Sequence, residues 1–345
     1  MNETIMHKEI FLIPESLKLT KSYNEKIVKE VKKIFLEKDI KNVMVVARGS
    51  SDNVGVYLKY LFEIYLHIPV SFAACSVVTK YNSYLNFDKT LVIGISQSGA
   101  GEDIRSYLEM ARKNGALTLA ITNNLDSICA KASEFNFYLN LTKEEALAAT
   151  KTFISQMYVV LMLVKELSDN KKVALALDSL DEKVKEILSK EEDIKEVARN
   201  CIDFIDCYLL SRGINYVSSL EGALKIQETT FIKAKAYASS DFYHGPMAIV
   251  DEKQNMFLLA ARGAVEDDNH AIYDKIKSLK ANIIAITNDE YYKDEKNLIK
   301  IPECDEIISP FLIIIAIQLL VCNISILKGI DVDHSRNLNK VTVTR

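Results

Sequence analysis

Residues 90–99 read TLVIGISQSG, an apolar run from Leu91 to Ile95 that ends abruptly in Ser96, Gln97, Ser98 and Gly99. A strand whose apolar residues do not alternate is covered on both faces, and such strands belong to parallel sheets flanked by helices. Open parallel sheets bind their ligands at the carboxyl ends of strands. Two hydroxyls, an amide and a glycine at that end point to a bound anion.

The same pattern occurs twice. One half of the chain reads NVMVVARGSS (42–51), LVIGISQSG (91–99) and LTLAITNN (117–124), and the other reads DCYLLSRGIN (206–215), NMFLLAARG (255–263) and NIIAITND (282–289). Gly49 matches Gly213, Gly99 matches Gly263 and Thr122 matches Thr287, which gives offsets of 164, 164 and 165. Three landmarks at one spacing mark a duplicated unit. In each half, short apolar strands alternate with amphipathic helical segments, the βαβ pattern of an α/β parallel sheet. The expected organisation is a helical segment over 1–40, a first domain over 41–179, a charged helical linker over 180–200, a second domain over 201–330 and a tail over 331–345. The second half has Ala260-Ala261-Arg262-Gly263 where the first has Ser96-Gln97-Ser98-Gly99, so the halves share a scaffold and not a ligand.

The chain has 345 residues, 49% hydrophobic and 26% charged, with a net charge of −4. That length favours two domains, and an acidic balance gives no reason to expect nucleic acid. The six cysteines form no CxxC pair and have no histidine at zinc spacing, so they read as reduced thiols of a cytoplasmic protein, with no metal. No GxGxxG follows the first strand, and no organic cofactor is expected. The N-terminus lacks a signal-peptide pattern. The longest apolar stretch, Phe311 to Leu327, contains Gln318, Asn323 and Ser325 and reads as a buried core helix rather than a membrane span.

Three segments of the first half offer backbone N–H groups and hydroxyls ahead of a helix: Gly49-Ser50-Ser51, Ser96-Gln97-Ser98-Gly99, and Ala148-Ala149-Thr150-Lys151. A phosphate is held well by such N–H groups, although each serine alone also suits a turn or a helix cap. In the second half, Glu221, Lys225 and Glu228 are spaced to share one helix face. An i,i+4 ion pair and a capping box from Ser218 to Glu221 fit the same spacing. His244 lies in YHGP, an irregular segment broken by Gly245 and Pro246.

Together SQSG, RGSS, AATKTF, SSLEGALKIQE, DFYHGPMAIVD and the tail DVDHSRNLNKVTVTR resemble the tandem SIS-domain family of phosphosugar isomerases and deaminases. They are similar to the isomerase half of glucosamine-6-phosphate synthase, and equally to stand-alone deaminases and fructosamine-6-phosphate deglycases. The resemblance implies two flavodoxin-like domains, with phosphate held by Ser50, Ser51, Ser96, Gln97, Ser98, Gly99 and position 101, and further substrate contacts from Ala148, Ala149 and Thr150. It makes Glu228 the base, with Lys225 assisting proton transfer and Glu221 orienting. His244 opens the sugar ring from the partner subunit, which implies a homodimer with shared sites. Lys340 becomes the amine that meets the open-chain carbonyl, in a tail whose Val341, Thr342, Val343 and Thr344 are unlike a frayed end. One departure is Gly101, where the family has Thr or Ser.

The chain begins Met1-Asn2, without the nucleophilic cysteine of a glutaminase domain, so glutamine is not the expected nitrogen donor. The expected reaction is deamination of a 6-phospho-aminosugar such as glucosamine 6-phosphate. A fructosamine-6-phosphate deglycase and a sugar-phosphate sensor without turnover are the alternatives.

Overall fold

A computed structural model describes residues 4–338 and Lys340; residues 1–3, 339 and 341–345 lie outside the described residues, and with them Val341, Thr342, Val343 and Thr344. Two compact units interleave along the chain. Residues 12–144 and 151–177, with Lys340, form the first, and residues 4–11, 145–150 and 178–338 form the second.

After α1 (Ile5–Phe11), which belongs to the second unit, the first unit runs α2 (Ile13–Glu37), β1 (Asn42–Ala47), α3 (Ser50–Tyr65), β2 (Val70–Phe72), α4 (Cys75–Thr79) and β3 (Thr90–Ile95). It continues α5 (Glu102–Lys113), β4 (Leu117–Thr122), α6 (Ile128–Ala132), β5 (Phe135–Tyr138) and α7 (Lys151–Ser168). Its five parallel strands are ordered β2-β1-β3-β4-β5. Every residue of β3 and β4 is buried, as a strand covered on both faces requires. On one side Val46 and Val92 pack with Ile104, Tyr107 and Leu108 of α5. Each such fully buried aliphatic side chain contributes about 1.5–3 kcal/mol.

From α8 (Lys171–Leu188) the chain passes to α9 (Glu191–Arg199), β6 (Asp206–Ser211), α10 (Tyr216–Thr230), β7 (Lys233–Ala238) and α11 (Ser239–Phe242). Then come β8 (Asn255–Leu259), α12 (Glu266–Ser278), β9 (Asn282–Thr287), β10 (Asn297–Lys300) and α13 (Ser309–Leu327). The second sheet is also parallel, ordered β10-β9-β8-β6-β7. Numbering each set of strands from one gives the order 2-1-3-4-5 in both units, so the duplication extends to the topology. The stretch read as a linker, 180–200, comprises the end of α8 and α9. Ile194, Val197 and Ala198 of α9 are buried, and α9 packs on α13 as a layer of the second unit.

The apolar stretch of the sequence is α13, which is long and apolar enough to cross a membrane but has 89% of its most apolar window buried inside the protein. It packs on α10, α9 and α1. Cys75, Cys129, Cys201, Cys207 and Cys322 are buried and Cys304 is half-buried; none is in a disulfide. Burial pushes the thiols of Cys129 and Cys201 up to about 12, so they remain protonated.

Candidate functional site

In the order 2-1-3-4-5 the chain leaves β1 and β3 in opposite directions, and the crevice at their carboxyl ends is the natural ligand position. The two strands pair directly, Ala47 with Ile95, so the loops that follow them are neighbours. They carry two of the three phosphate segments expected from sequence.

The β1 loop turns at Gly49, which has φ +57°, and delivers Ser50 and Ser51 to the start of α3. The Ser51 hydroxyl meets the side-chain amide of Gln156, on α7, at 3.2 Å. In the β3 loop, Ser96 Oγ accepts the Gly99 N–H at 3.1 Å and Ser98 Oγ accepts the Ala100 N–H at 3.3 Å. Each hydroxyl thus uses a lone pair locally and keeps its proton for an outside acceptor. The Gln97 carbonyl accepts from the Asn123 N–H at 2.9 Å and from Thr122 Oγ1 at 3.3 Å, which fixes the loop to the end of β4. Gly99 has φ +66°, and a Cβ there would stand 2.0 Å from Ser127 Oγ; no other residue fits. Gly101 is the N-cap of α5 in extended backbone, φ −68°, so a serine or threonine would fit that backbone, but this chain places no hydroxyl there.

Two residues that the sequence reading did not single out hold this edge together. Arg48, just before Gly49, bonds Asp103 in the first turn of α5, with Nη2 2.8 Å and Nε 3.0 Å from Oδ2. Asp103 is buried and Arg48 half-exposed, so the pair links the two loops and leaves part of a guanidinium at the surface.

The third segment behaves differently. Ala148, Ala149 and Thr150 group with the second unit, and the first unit resumes at Lys151. The segment's partners are remote in sequence: the Glu9 carboxylate of α1 accepts the N–H groups of Glu145 and Ala146 at 2.8 and 3.2 Å, and Gln318 Nε2 of α13 reaches the Thr150 carbonyl at 3.5 Å. Ala148 and Thr150 are buried and Ala149 is half-buried.

Within the first unit, Glu144 is fully buried and accepts from Thr152, through N at 3.1 Å and Oγ1 at 2.6 Å. Its Oε2 also receives Lys340 Nζ at 2.8 Å, so the tail lysine meets a carboxylate prepared by α7. Glu144 is the third residue that the motifs alone did not bring out.

In the second unit, α10 places Glu221, Lys225 and Glu228 in one cluster. Lys225 Nζ lies 2.5 Å from Glu228 Oε2 and 3.3 Å from Glu221 Oε1. Lys225 and Glu221 have 0% of their side chains exposed, whereas Glu228 has 20% and is the member that solvent reaches. Burial by itself would lower the Lys225 pKa, but the charges of Glu221 and Glu228 outweigh it and raise the value above that of an ordinary lysine. The N-cap position of α10 is Asn215, which makes no side-chain cap hydrogen bond, and Ser218 lies inside the helix, so the capping-box reading of Ser218 and Glu221 does not hold. His244 follows α11 in an exposed turn, where its N–H donates to the Asp241 carbonyl at 3.0 Å. The arrangement supplies a partly exposed carboxylate held by a buried ammonium, a pairing suited to proton transfer.

The SIS domain pattern fits residues 38–166 and again 206–328. The glutamine–fructose-6-phosphate aminotransferase [isomerizing] of Methanothermobacter thermautotrophicus is 33% identical over 348 residues, which cover 98% of this chain and 57% of that protein. The corresponding enzyme of Clostridium perfringens is 32% identical over 99% of this chain and 59% of its own length. The chain therefore spans little more than half the length of these relatives. Among solved structures, the C-terminal domain of glucosamine-fructose-6-phosphate aminotransferase from Francisella tularensis superposes with a TM-score of 0.86 at 26% identity, covering 96% of this chain and 98% of that one. Glucosamine-6-phosphate deaminase from Thermotoga maritima shares the fold, with a TM-score of 0.75 at 23% identity over 99% of this chain and 100% of that one.

Proposed function

Because the chain belongs to the SIS-domain family, we propose that it is a phosphosugar isomerase acting on a 6-phospho-aminosugar, glucosamine 6-phosphate or a close relative, and that turnover releases ammonia and a ketose phosphate. The observation that carries this reading is the α10 cluster, in which buried Lys225 holds the partly exposed carboxylate of Glu228 at 2.5 Å. An aldose-to-ketose conversion moves one proton from C2 to C1. Glu228 takes the C2 proton and returns a proton to C1, Lys225 holds Glu228 in place, and Glu221 fixes Lys225. The amine carbon then becomes an imine, which water hydrolyses to the ketose and ammonia. Ser51, Ser96 and Ser98, with the N–H groups of their loops, take the phosphate.

His244 opens the ring from the partner subunit of a homodimer, and Lys340 meets the open-chain carbonyl. The exposed turn around His244 supports the first role, and the placement of Lys340 against Glu144 supports a tail lysine with a defined position. A lysine amine reacts with a ketose carbonyl once its proton has been removed.

The test is ammonia release across a panel of aminosugar and fructosamine phosphates. Ammonia from glucosamine 6-phosphate is expected. An amino acid released from a fructosamine phosphate would make the chain a deglycase, and saturable binding without turnover would make it a sensor.

A further inference from the structure

The second unit repeats the first closely enough for its differences to be read position by position. α12 begins at Glu266 and α5 at Glu102, Gly263 answers Gly99, and Arg212 answers Arg48, at an offset of 164 each time. A related ion pair recurs one residue on and more exposed: Arg212 Nε lies 2.5 Å from Asp268 Oδ2, whereas Arg48 meets the buried Asp103. Yet the loop from Ala260 to Ala264 has no hydroxyl, because Ala260 and Arg262 stand where Ser96 and Ser98 stand.

A carboxylate lies at this loop instead. Glu306, from the segment between β10 and α13, places Oε2 2.9 Å from the Ala264 nitrogen and accepts its N–H. Ala264 is the counterpart of Ala100, whose N–H in the first unit goes to Ser98 Oγ. A Cβ built on Gly263, where φ is +157°, would fall 2.2 Å from the same Oε2, so a side chain at 263 would push the acid aside. The Arg262 N–H is engaged by Asn288 Oδ1 at 3.0 Å.

We infer that Glu306 is an internal anion filling the second unit's copy of the anion loop, and that it is the residue that confines phosphosugar binding to the serine loop. A carboxylate and a phosphate compete for the same N–H donors at a helix start. A tethered carboxylate competes at a high effective concentration, so a free anion is displaced. The other charges at this edge are Glu266, Asp267 and Asp268 in the first turn of α12, with Asp268 paired to Arg212, His270 paired to Asp289 at 2.6 Å, and Arg262 4.0 Å from Glu303. This acidic balance makes the second loop, once opened, a weaker anion site than the first. Confinement to the serine loop rests on the phosphate reading proposed above, whereas the filling of the second loop by Glu306 does not.

The experiment is a calorimetric titration of the full chain with inorganic phosphate. It compares wild type, Glu306→Ala and Glu306→Gln, each alone and with Ser96→Ala and Ser98→Ala together, and thermal melts confirm folding. Glu306→Ala is expected to raise the stoichiometry from one to two per chain, and the added weak event should survive loss of both serines. Glu306→Gln keeps the side chain's volume and an acceptor oxygen and should add nothing. If Glu306→Ala does not fold, Glu306→Ser replaces it. An unchanged stoichiometry in the opened variant overturns the inference, and so does an added event in Glu306→Gln, which would mean charge repulsion rather than occupancy. Absence of binding in wild type, with a serine-independent event in Glu306→Ala, would instead sink the serine-loop reading and leave this inference standing.

Discussion

Arg48 and Asp103 are 55 residues apart in sequence and meet at 2.8 Å, tying the loop after β1 to the first turn of α5. Arg48→Ala removes the guanidinium from a buried carboxylate, at a cost of about 1–3 kcal/mol. The same variant should weaken phosphosugar binding, because both loops lose their brace. Ser96→Ala and Ser98→Ala should each weaken binding by about 1–3 kcal/mol without lowering the melting temperature. Arg212→Ala, where the partner Asp268 is more than half exposed, should change the melt less than Arg48→Ala and leave binding intact. Calorimetric titration and melts on the same samples check all four variants, and equal binding losses at Arg48 and Arg212 would contradict the account.

Lys225 carries a pH signature. Its folded pKa is raised above the unfolded value, since Glu221 and Glu228 outweigh burial. The resulting stability is fully present below the unfolded-chain value near about 10.4 and is lost only as pH rises through the higher folded value. Lys225→Met takes the cation from between two carboxylates and should cost about 3–5 kcal/mol at neutral pH. The gap in urea midpoint between wild type and Lys225→Met should stay constant through neutral pH and shrink only in strong alkali. A gap that narrows already near pH 8 would contradict the raised pKa.

Much of this was legible in the sequence because it depends on local pattern. The run Leu91 to Ile95 fixed a strand buried on both faces, and the offset of 164 predicted two like units. The spacing of Glu221, Lys225 and Glu228 predicted their shared face. What escaped depends on contacts remote in sequence. Arg48 meets Asp103 only because β1 lies beside β3, and Lys340 meets Glu144 across 196 residues. Residues 145–150 join the second unit because a carboxylate on α1, more than 130 positions earlier, accepts two of their N–H groups. No local pattern announces such a partner.

The tail should matter chiefly to turnover. Lys340 has a quarter of its side chain exposed, and its ammonium meets the fully buried Glu144 carboxylate at 2.8 Å. Lys340→Ala should lower turnover by at least ~100-fold, if the amine acts on the carbonyl, and, because it takes the cation from the fully buried Glu144 carboxylate, should cost about 1–3 kcal/mol of stability as Arg48→Ala does, so turnover is compared well below both melts. Borohydride reduction in the presence of substrate should attach a sugar phosphate to wild type and not to Lys340→Ala. Full activity in the variant would remove Lys340 from the mechanism.

Sharing of sites between subunits has its own readout. His244→Ala and Glu228→Gln chains, each inactive alone, should regain activity after being unfolded and reassociated together, because one site of each mixed dimer then holds both intact groups. No recovery in verified mixed dimers would place His244 with the cluster of its own chain or outside the chemistry.

As the proposed base, Glu228 moves a proton between C1 and C2 of a 6-phospho-aminosugar. The direct measurement is turnover of glucosamine 6-phosphate in deuterium oxide, followed by NMR for the label and by ammonia assay for product, with wild type and Glu228→Gln side by side. Wild type should place solvent deuterium on C1 of the ketose phosphate and release ammonia in step. Glu228→Gln should lose both by about 10²–10⁴-fold while keeping phosphosugar affinity and staying folded at the assay temperature, with a lower melt because buried Lys225 loses one of its two carboxylates. Exchange at the wild-type rate in Glu228→Gln, or saturable binding by wild type with no exchange and no ammonia, would contradict the account.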